Sequence, residues 1–411
     1  MSNVLLNGLD YKKTEYKYLS KLNDDEIELS NCDNFFEFKK KVLMRYKERF
    51  DKFAVTNNSL SRKQDIFTNK KFSFEYTYSR FDSYINYETF GEEFYNLNLK
   101  NYRKKCFFTN SGMSAIASML LSLKKSNLDF NYIFPLNDIY FETYDFYKKY
   151  IFTNSSKNGL EIIYFDTICK RFDKNLIKNE INNIKRAFCV IIDTTCYLGD
   201  ELNNIIEYVL RENKLCILIR SHTKLDMLGS EVNSMGSILY LLPKKNRKEI
   251  YDIYIKIIKE NFYLLGKFGS LLLPNNFPTY IFDSDFKKIN AKRVSRIRNN
   301  NNKLYLYLLK TLKKGKIILP NHKMFLIYML EISDSEIDNQ QEMIQSKIKT
   351  FIEFNNMYNI FNAGSFGFDY IAIDSYYDIN INNYILRISM NDSKDNSEEI
   401  QLIGDFVNDN F

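Results

Sequence analysis

The chain has 411 residues, of which 45% are hydrophobic, and a formal net charge of +7 from 58 Lys and Arg against 51 Asp and Glu. This hydrophobic content excludes a disordered chain, and single cores rarely grow beyond ~300 residues, so two packed domains are expected. A charge this mild over this length does not indicate a nucleic-acid partner, and none is predicted.

The six cysteines follow no CxxC or zinc spacing, and the only two histidines are His222 and His322. This composition argues against a metal site and against Ser-His-Asp catalysis, and it predicts a reducing, cytoplasmic setting. Residues 1–23 are polar and carry both acids and bases, so we expect no signal peptide. Because no apolar stretch approaches the ~20 residues of a membrane helix, we expect no membrane association.

Residues 1–70 are charged, with an amphipathic pattern around Phe35–Phe53, and we expect an N-terminal helical arm there. From residue 104 onward, short apolar runs alternate with helical patterns, which is typical of an α/β protein with a mostly parallel, doubly wound sheet. The predicted strands are Cys106–Phe108, Tyr132–Phe134, Glu161–Phe165, Ala187–Ile192, Leu215–Ile219 and Ser237–Leu242. The predicted helices include Ser114–Leu123, Tyr144–Tyr150 and Leu202–Glu212.

The pattern changes after Pro274 and Pro278. A long predicted helix at Phe286–Lys313 carries Lys and Arg on one face, which we interpret as a solvated surface rather than as an anion-binding face. The residues that follow alternate strand candidates with a polar helix, as in a smaller α+β domain. The predicted domains are therefore an arm at 1–70, a large cofactor-binding domain at 71–275 and a small domain at 276–411.

Lys224 lies just beyond the apolar run Cys216–Ile219, and Ser221 and Thr223 precede it. Open α/β sheets bind ligands at the carboxyl ends of their strands. A lysine at that edge can form a Schiff base with an aldehyde cofactor while neighbouring hydroxyls hold a phosphate. A solvated surface lysine is the competing interpretation.

Two further elements lie between a predicted strand and the segment that follows it. Ser111, Gly112 and Met113 precede a helix, where backbone N–H groups can face a phosphate, although an ordinary helix cap has the same sequence. Asp193 ends the apolar strand 187–192, where its carboxylate can pair with a cationic ring nitrogen or simply cap a turn. Tyr140 can stack on a flat cofactor ring or pack in the core.

Two arginines complete the set of candidates. Arg80, with Tyr78 two residues before it, offers a guanidinium and a phenol for phosphate oxygens. Arg387 stands inside an apolar strand, where a buried charge requires a partner. That partner is either a substrate carboxylate or a carboxylate of the chain itself, and the sequence leaves both open.

The order of these motifs resembles the Cys/Met-metabolism family of pyridoxal 5'-phosphate (PLP) enzymes, which includes cystathionine γ-synthase, cystathionine lyases and methionine γ-lyase. The resemblance extends from about Tyr76 to the C-terminus and is strongest at YSRFDSY (78–84), SGMSAI (111–116) and SHTKLDMLGSEV (221–232). It implies the aspartate-aminotransferase-like fold (fold type I) and PLP as cofactor. It further implies a transferase or lyase that acts on an amino-acid substrate by β/γ-elimination or γ-replacement.

The resemblance also implies roles for individual residues. Lys224 matches the Schiff-base lysine that moves the Cα proton, Tyr140 the tyrosine stacked on the ring, and Asp193 the partner of the pyridine nitrogen. The phosphate cradle matches Ser111, Gly112, Met113, Ser221 and Thr223, and the grip on the substrate carboxylate matches Ser365 and Arg387. Tyr78 and Arg80 match a pair that reaches the phosphate of a neighbouring subunit, which implies a homodimer or homotetramer.

This chain departs from the family pattern at three places within the matched region, and residues 1–70 show no clear match. One departure is Asp193-Thr194-Thr195, where the family has Asp-Asn-Thr. Tyr140 is followed by the bulky Phe141 and Glu142, and the lysine by Leu228–Glu231 where the family usually has Gly-His-Ser-Asp. These departures suggest a divergent member with a rebuilt substrate pocket. Transamination, racemisation or condensation in a specialised biosynthetic pathway, and a non-catalytic scaffold on the same fold, are the alternatives.

Overall fold

A computed structural model of the protein describes residues 85–411 except 127–128, 135–138, 153–158, 169–171, 173, 184–186, 232, 273–276, 331–339, 356–357 and 379–382. Of residues 1–84 it describes Glu15, Glu37, residues 39–44 and the strands at 65–69 and 72–75. The described part divides into two compact units. The large unit comprises residues 41–223 and 232–284, and the small unit comprises residues 1–40, 224–231 and 285–411.

The large unit is built on a six-stranded sheet. Ahead of it in the chain, the short strands β1 (Asp65–Asn69) and β2 (Phe72–Glu75) pair antiparallel, and β1 falls within the stretch expected to be helical. The sheet strands are β3 (Tyr102–Thr109), β4 (Phe130–Ile133), β5 (Leu160–Asp166), β6 (Ala187–Asp193), β7 (Leu215–Ser221) and β8 (Gly236–Pro243). Their order is β3-β8-β7-β6-β5-β4.

Only β8 runs against the other strands of this sheet. It pairs antiparallel with both β3 and β7, whereas the pairs β7–β6, β6–β5 and β5–β4 are parallel. Every residue of β6 and β8 is buried, as expected for strands covered on both faces. The mostly parallel sheet predicted from the sequence is confirmed.

The large unit also contains α-helices, and those at 112–125, 141–146 and 248–267 bury apolar side chains in one core with the sheet, which includes Met119, Leu123 and Ile257. The helices of this unit include α1 (Phe90–Tyr95), α2 (Gly112–Lys125), α3 (Phe141–Phe146, continued by a π-helical turn at Tyr147–Ile151), α4 (Lys174–Asn183), α5 (Asn203–Arg211) and α6 (Lys248–Lys267). Within the residues that the structure describes, no helix is long and apolar enough to cross a membrane.

The small unit contains a mixed five-stranded sheet in the order β11-β12-β13-β10-β9. Its strands are β9 (Lys316–Ile318), β10 (Leu326–Met329), β11 (Ile360–Asn362), β12 (Ile371–Asp378) and β13 (Asn383–Ser389). Its helices are α7 (Ser284–Thr311), α8 (Gln340–Phe354) and α9 (Ser397–Asn410). Leu304, Ile348 and Ile403 bring the three helices into one core with this sheet.

Two basic residues of α7 depart from the solvated face expected from the sequence, whereas Lys288, Lys292, Lys303 and Lys310 are exposed as expected. Arg293 is fully buried. Arg296 is only 24% exposed and forms ion pairs with Glu15 and Asp392, the second at 2.9 Å. The expectation is therefore wrong for these two residues, because positions three apart on a helix share a face and this face packs against the rest of the small unit.

Candidate functional site

The sequence-predicted residues of the large unit gather at one edge of its sheet. Because β3, β5, β6 and β7 run in one direction, all four end at this edge, and the reversed strand β8 begins there at Gly236. Thr109 and Ser221 both pair with Gly236 across the sheet. This edge therefore carries the carboxyl ends of four strands, the position at which open α/β sheets bind ligands.

Gly112 and Gly236 allow the turn between β3 and α2 to lie directly against the end of β7. A Cβ atom at Gly112 would lie 2.7 Å from Cβ of Ser221, and one at Gly236 would lie 2.6 Å from the carbonyl carbon of Ser111. Real Cβ atoms essentially never come that close to other atoms. Both glycines are thus required for the approach of Ser111, Gly112 and Ser221.

Ser111 caps the 14-residue helix α2. Its Oγ accepts a hydrogen bond from the backbone N–H of Ser114 at 3.1 Å and lies 2.9 Å from Oγ of Ser114. The Met113 side chain packs against the large core. The N–H groups of Gly112 and Met113 belong to the first helical turn, where backbone donors lack intrahelical partners and the helix dipole favours an anion. Both the cap and the phosphate-binding interpretation of this motif therefore fit.

Asp193 is buried at the end of β6 and is held by the residue two positions on. Its Oδ1 accepts hydrogen bonds from the backbone N–H of Thr195 at 2.9 Å and from the Thr195 hydroxyl at 2.6 Å. The same hydroxyl oxygen accepts a bond from the backbone N–H of Ser221 at 3.1 Å. Thr195 therefore joins Asp193 to Ser221.

The turn that carries Thr195 is itself fastened by Arg220, which sequence reasoning did not identify. Arg220 is fully buried, and its Nη1 donates to the carbonyl oxygens of Thr194 and Tyr197 at 2.5 and 2.6 Å. Its guanidinium also lies 5.1 Å from the centre of the Phe94 ring. The apolar run before Arg220 shows that this position is in a buried strand, but the carbonyl partners depend on the fold.

Tyr140 is positioned by Asp166, a second residue that sequence reasoning missed. Asp166 ends β5 in register with Asp193 on β6, and its Oδ2 accepts a hydrogen bond from the backbone N–H of Tyr140 at 2.9 Å. Its Oδ1 accepts another from the backbone N–H of Ile168.

Burial, together with the charges of Asp193 and Asp166, raises the pKa of the Tyr164 phenol well above its ordinary value, so this tyrosine is neutral.

Thr223 is engaged within its own loop. Its Oγ1 accepts a hydrogen bond from the backbone N–H of Met235 at 3.3 Å and lies 3.5 Å from Oγ of Ser234. Ser234 in turn donates to the carbonyl oxygen of Asn110 at 2.6 Å. Thr223 therefore ties the end of the β7–β8 connection to the turn before α2.

In the small unit, Lys224 is associated with the loop that carries Ser365. The Nζ atom of Lys224 lies 4.7 Å from the centre of the Phe366 ring, within the range of a cation–π contact. The Phe366 ring is 5.3 Å from that of Phe325. The Lys224 amine thus lies over the ring of Phe366, which contacts Phe325. Phe366 directly follows Ser365 in the chain.

Arg387 and Ser365 present buried donors without partners among the described residues. Arg387 is 2% exposed, its Nη2 is 3.5 Å from Oδ2 of its cross-strand neighbour Asp374, and its Nε has no partner. Oγ of Ser365 is also buried without a partner. A Cβ atom at Gly364 would lie 3.8 Å from Nη2 of Arg387, so the Arg387 guanidinium is close to the residue that precedes Ser365. Because the hydrogen bond to Asp374 is long, the N–H donors of the Arg387 guanidinium are largely unsatisfied.

The departures from the family pattern have different environments. Phe141 and Glu142 are exposed at the start of α3, and the Phe141 ring lies 4.9 Å from that of Tyr140. Leu228, Gly229 and Glu231 all adopt positive φ angles of 53°, 70° and 57°. The segment after the lysine is therefore a tightly wound turn.

Tyr78 and Arg80 lie outside the described residues. Among the residues that the structure does describe, no group of three His, Cys, Asp or Glu side chains is placed to hold a metal ion. The large unit brings together Ser111, Gly112, Asp193 and Ser221, with Tyr140 one strand away. The small unit brings together Lys224, Ser365 and Arg387.

No protein-family model matches the sequence, and no curated protein matches it. Several solved structures are similar to the chain. A protein from Leishmania major Friedlin described as a candidate aspartate aminotransferase is 13% identical, with a TM-score of 0.51, over 89% of this chain and 86% of that one. The apo methionine γ-lyase CalE6 from Micromonospora echinospora is 11% identical, with a TM-score of 0.48, over 84% and 91%. The histidinol-phosphate aminotransferase from Clostridium acetobutylicum is 14% identical, with a TM-score of 0.46, over 77% and 87%.

The first of these similarities confirms the predicted fold. The chain has the α/β, aspartate-aminotransferase-like fold, with a mostly parallel sheet in one unit and a smaller second sheet in the other. At 13% identity the similarity concerns the fold alone. The reaction has to be inferred from the site.

Proposed function

We propose that the protein is a PLP-dependent enzyme, a transferase or lyase, that acts on an amino acid by β/γ-elimination or γ-replacement. The observation that carries this proposal is the group Lys224, Ser365 and Arg387 in the small unit. The Lys224 amine lies over the ring of Phe366, which follows Ser365 in the chain. Oγ of Ser365 and Nε of Arg387 are buried without partners among the described residues, and Arg387 Nη2 lies near Gly364. A carboxylate would satisfy both donors, and an α-amino acid supplies it next to the reacting carbon.

The edge of the large sheet fits the cofactor. The N–H groups of Gly112 and Met113 and the Ser221 segment would hold its phosphate, since the two glycines let the turn before α2 and the end of β7 lie side by side. The carboxylate of Asp193, fixed by Thr195, would pair with the pyridine nitrogen and keep it protonated. The backbone of Tyr140 is held by Asp166, so its ring would stack on the cofactor from a fixed position.

When bound, PLP supplies an electron sink that stabilises negative charge at the substrate Cα. Lys224 would anchor the cofactor through Nζ and, after exchange with the substrate amine, accept the proton from Cα. Arg387 and Ser365 would orient the substrate by its carboxylate, which fixes the Cα–H bond relative to the lysine. Loss of a leaving group from the β or γ carbon then gives elimination, and capture of a nucleophile gives replacement.

The resemblance of the sequence supports one further part of the proposal, the oligomeric state. Tyr78 and Arg80 would bind the phosphate held by a neighbouring subunit, so that the active unit is at least a homodimer. We also propose a cytoplasmic location, because the six cysteines follow no CxxC spacing and Cys189 and Cys216 are buried in apolar strands as small hydrophobic residues, which fits a reducing compartment.

The first test measures the visible absorption of the purified chain with PLP, followed by borohydride reduction and peptide mapping. We expect a visible band and a covalent pyridoxyl group on Lys224. Lys224→Ala should remove both, whereas Lys259→Ala, which removes an exposed lysine of α6, should remove neither. A wild-type chain that shows no band and no modified Lys224 would refute the proposal.

Product analysis with a panel of amino acids then separates the reactions. Elimination releases the leaving group together with ammonia and a 2-keto acid, whereas replacement releases the leaving group, consumes an added thiol nucleophile and retains the amino group. Transamination instead transfers the amino group to an added keto acid. A racemised or condensed product would contradict elimination and replacement while retaining the cofactor assignment.

A further inference from the structure

We propose that Arg293 and Gly229 form a positioning clamp, which fixes the segment Lys224–Glu231 on the loop 364–370 and thereby holds Lys224 over Phe366. The inference deepens the proposed function and rests on it, because it assigns positioning roles to two residues that do not touch the substrate. All of these residues belong to the small unit.

Two glycines with a left-handed backbone conformation lie where the segment Lys224–Glu231 meets the loop 364–370, Gly229 in the first and Gly367 in the second. Gly229 has a φ of 70°, and a Cβ atom there would lie 2.7 Å from the backbone N of Asp369 and would also meet Nη2 of Arg293. Gly367 has a φ of 76°, and a Cβ atom there would lie 2.7 Å from Cδ2 of Leu225. The segment Lys224–Glu231 and the loop 364–370 are therefore fitted to each other at two points, both of which follow the Lys224–Phe366 contact in the chain.

Hydrogen bonds close the same junction. Within the lysine segment, the N–H of Gly229 donates to the carbonyl oxygen of Lys224 at 3.1 Å. From the opposite loop, the N–H of Asp369 donates to the carbonyl oxygen of Gly229 at 3.3 Å. Nη2 of Arg293 donates to the carbonyl oxygen of Gly367. The guanidinium thus lies where the two segments meet and bonds to one of them while packing against the other.

Arg293 lowers the stability of the fold more than an apolar residue at its position would, so a purely structural role does not explain it. It is fully buried, and its Nε and Nη1 have no partner among the described residues. Burying a charge with so few hydrogen bonds costs stability, and apolar replacements of such groups are often neutral or stabilising. Leu228 and Glu231, which have positive φ angles without being glycine, add backbone strain beside it. An underpaired buried charge and a strained backbone thus occur together where the two segments meet. We infer from this that Arg293 positions the segment Lys224–Glu231.

The experiment reads the position of Lys224 without cofactor. The apo chain is treated briefly with acetic anhydride, and acetylation of Lys224 is measured by peptide mass spectrometry relative to the exposed Lys259. We expect Gly229→Ala to raise the rate at Lys224 by about threefold or more, because release from the Phe366 ring frees the amine. Gly269→Ala is the matched control, since Gly269 has a φ of 61° but no atom within 4 Å of an added Cβ.

Arg293→Met provides a second variant that adds no steric clash and should fold, because it removes an underpaired buried charge. It should change Lys224 acetylation in the same direction as Gly229→Ala and slow the formation of the PLP band. If Gly229→Ala fails to fold, Arg293→Met decides the matter. Folded variants whose Lys224 acetylation equals that of wild type, or a Gly269→Ala effect as large as that of Gly229→Ala, would overturn the clamp.

Failure of the clamp and failure of the proposed function give different results. If wild type takes up no PLP on Lys224, the proposed function fails, and the acetylation rates still report whether the clamp positions the amine. If wild type takes up PLP and the variants match it in both measurements, only the clamp fails.

Discussion

Thr195 donates two hydrogen bonds to one oxygen of Asp193, from its backbone N–H at 2.9 Å and from its hydroxyl at 2.6 Å. The same side chain accepts the backbone N–H of Ser221. One threonine therefore serves both the carboxylate proposed to face the cofactor ring and the segment proposed to face its phosphate.

Thr195→Val should weaken PLP binding by about tenfold or more, because a hydrogen bond to a charged group is worth ~1.5–3 kcal/mol. The Ser221 N–H would also lose its acceptor, so the melting temperature should fall. Thr195→Ser keeps the hydroxyl and should restore most of the affinity. Equal PLP affinities for the valine and serine variants, measured by fluorescence titration, would contradict this role of the hydroxyl.

Arg387→Met should separate stability from binding. Removal of a buried guanidinium with one weak partner is expected to leave the melting temperature unchanged or raise it. Binding of an amino-acid ligand should weaken by about tenfold or more, because the bidentate contact with its carboxylate is lost. The matching amine without a carboxylate should bind both proteins equally. A large drop in melting temperature would instead identify Arg387 as half of a structural ion pair with Asp374.

Asp166→Ala should disturb Tyr140 through the backbone. The variant removes the acceptor for the N–H groups of Tyr140 and Ile168, which leaves these donors without a carboxylate partner. We expect a loss of ~1–3 kcal/mol in the free energy of unfolding and weaker PLP binding. Asp145→Ala, which removes an exposed carboxylate of α3 paired with Lys149, is the control. Unchanged PLP affinity in the Asp166 variant would argue against its role in the site.

Arg80→Ala and Lys224→Ala should each be inactive as pure proteins, yet complement each other when mixed. If Arg80 reaches the phosphate of a neighbouring subunit, a mixed dimer contains one intact site. Random exchange of subunits should then restore about a quarter of the wild-type activity. Mixing after denaturation and refolding, with activity followed against mixing ratio, tests this. Absence of any recovery would place Arg80 in the site of its own subunit or outside it.

Glu231→Gln should stabilise the protein near neutral pH. Partial desolvation, and then the charge of Asp369, raise the pKa of Glu231 above its ordinary value, whereas Lys39 and a hydrogen bond with Tyr370 lower it. Because Glu231 is exposed, solvent screening keeps the resulting gain in stability small. A raised carboxyl pKa means that the ionised form opposes folding, and this cost disappears as pH falls through the folded-state pKa. The gain in melting temperature should therefore shrink toward acidic pH. A gain that is the same at acidic and neutral pH would contradict this assignment.

The sequence was most informative where burial is continuous. The apolar runs that became β6 and β7 predicted both strands and, through the residues after them, the location of Asp193 and Lys224. The direction of β8 has no such signal, because an apolar strand in the middle of a sheet has the same composition in either orientation.

Asp166 and Arg293 could not be recognised for different reasons. Asp166 ends β5 as Asp193 ends β6, so the signal was present in the sequence, but only the register of the two strands gives it meaning. Arg293 lies in a run of basic residues that is typical of a solvated helix face. Its burial follows from what packs on the helix, which composition does not encode.

The reversed direction of β8 determines how freely the chain can vary around Lys224. Since β7 ends and β8 begins at the same edge, the pairing of Ser221 with Gly236 closes residues 222–235 into a loop anchored at both ends. Changes of length in such a loop cost little loop-closure entropy and leave the strand register intact. The ends of β7 and β8 therefore stay in place when the loop varies, and the position of Lys224 depends instead on the contacts of Gly229 with Asp369 and Arg293.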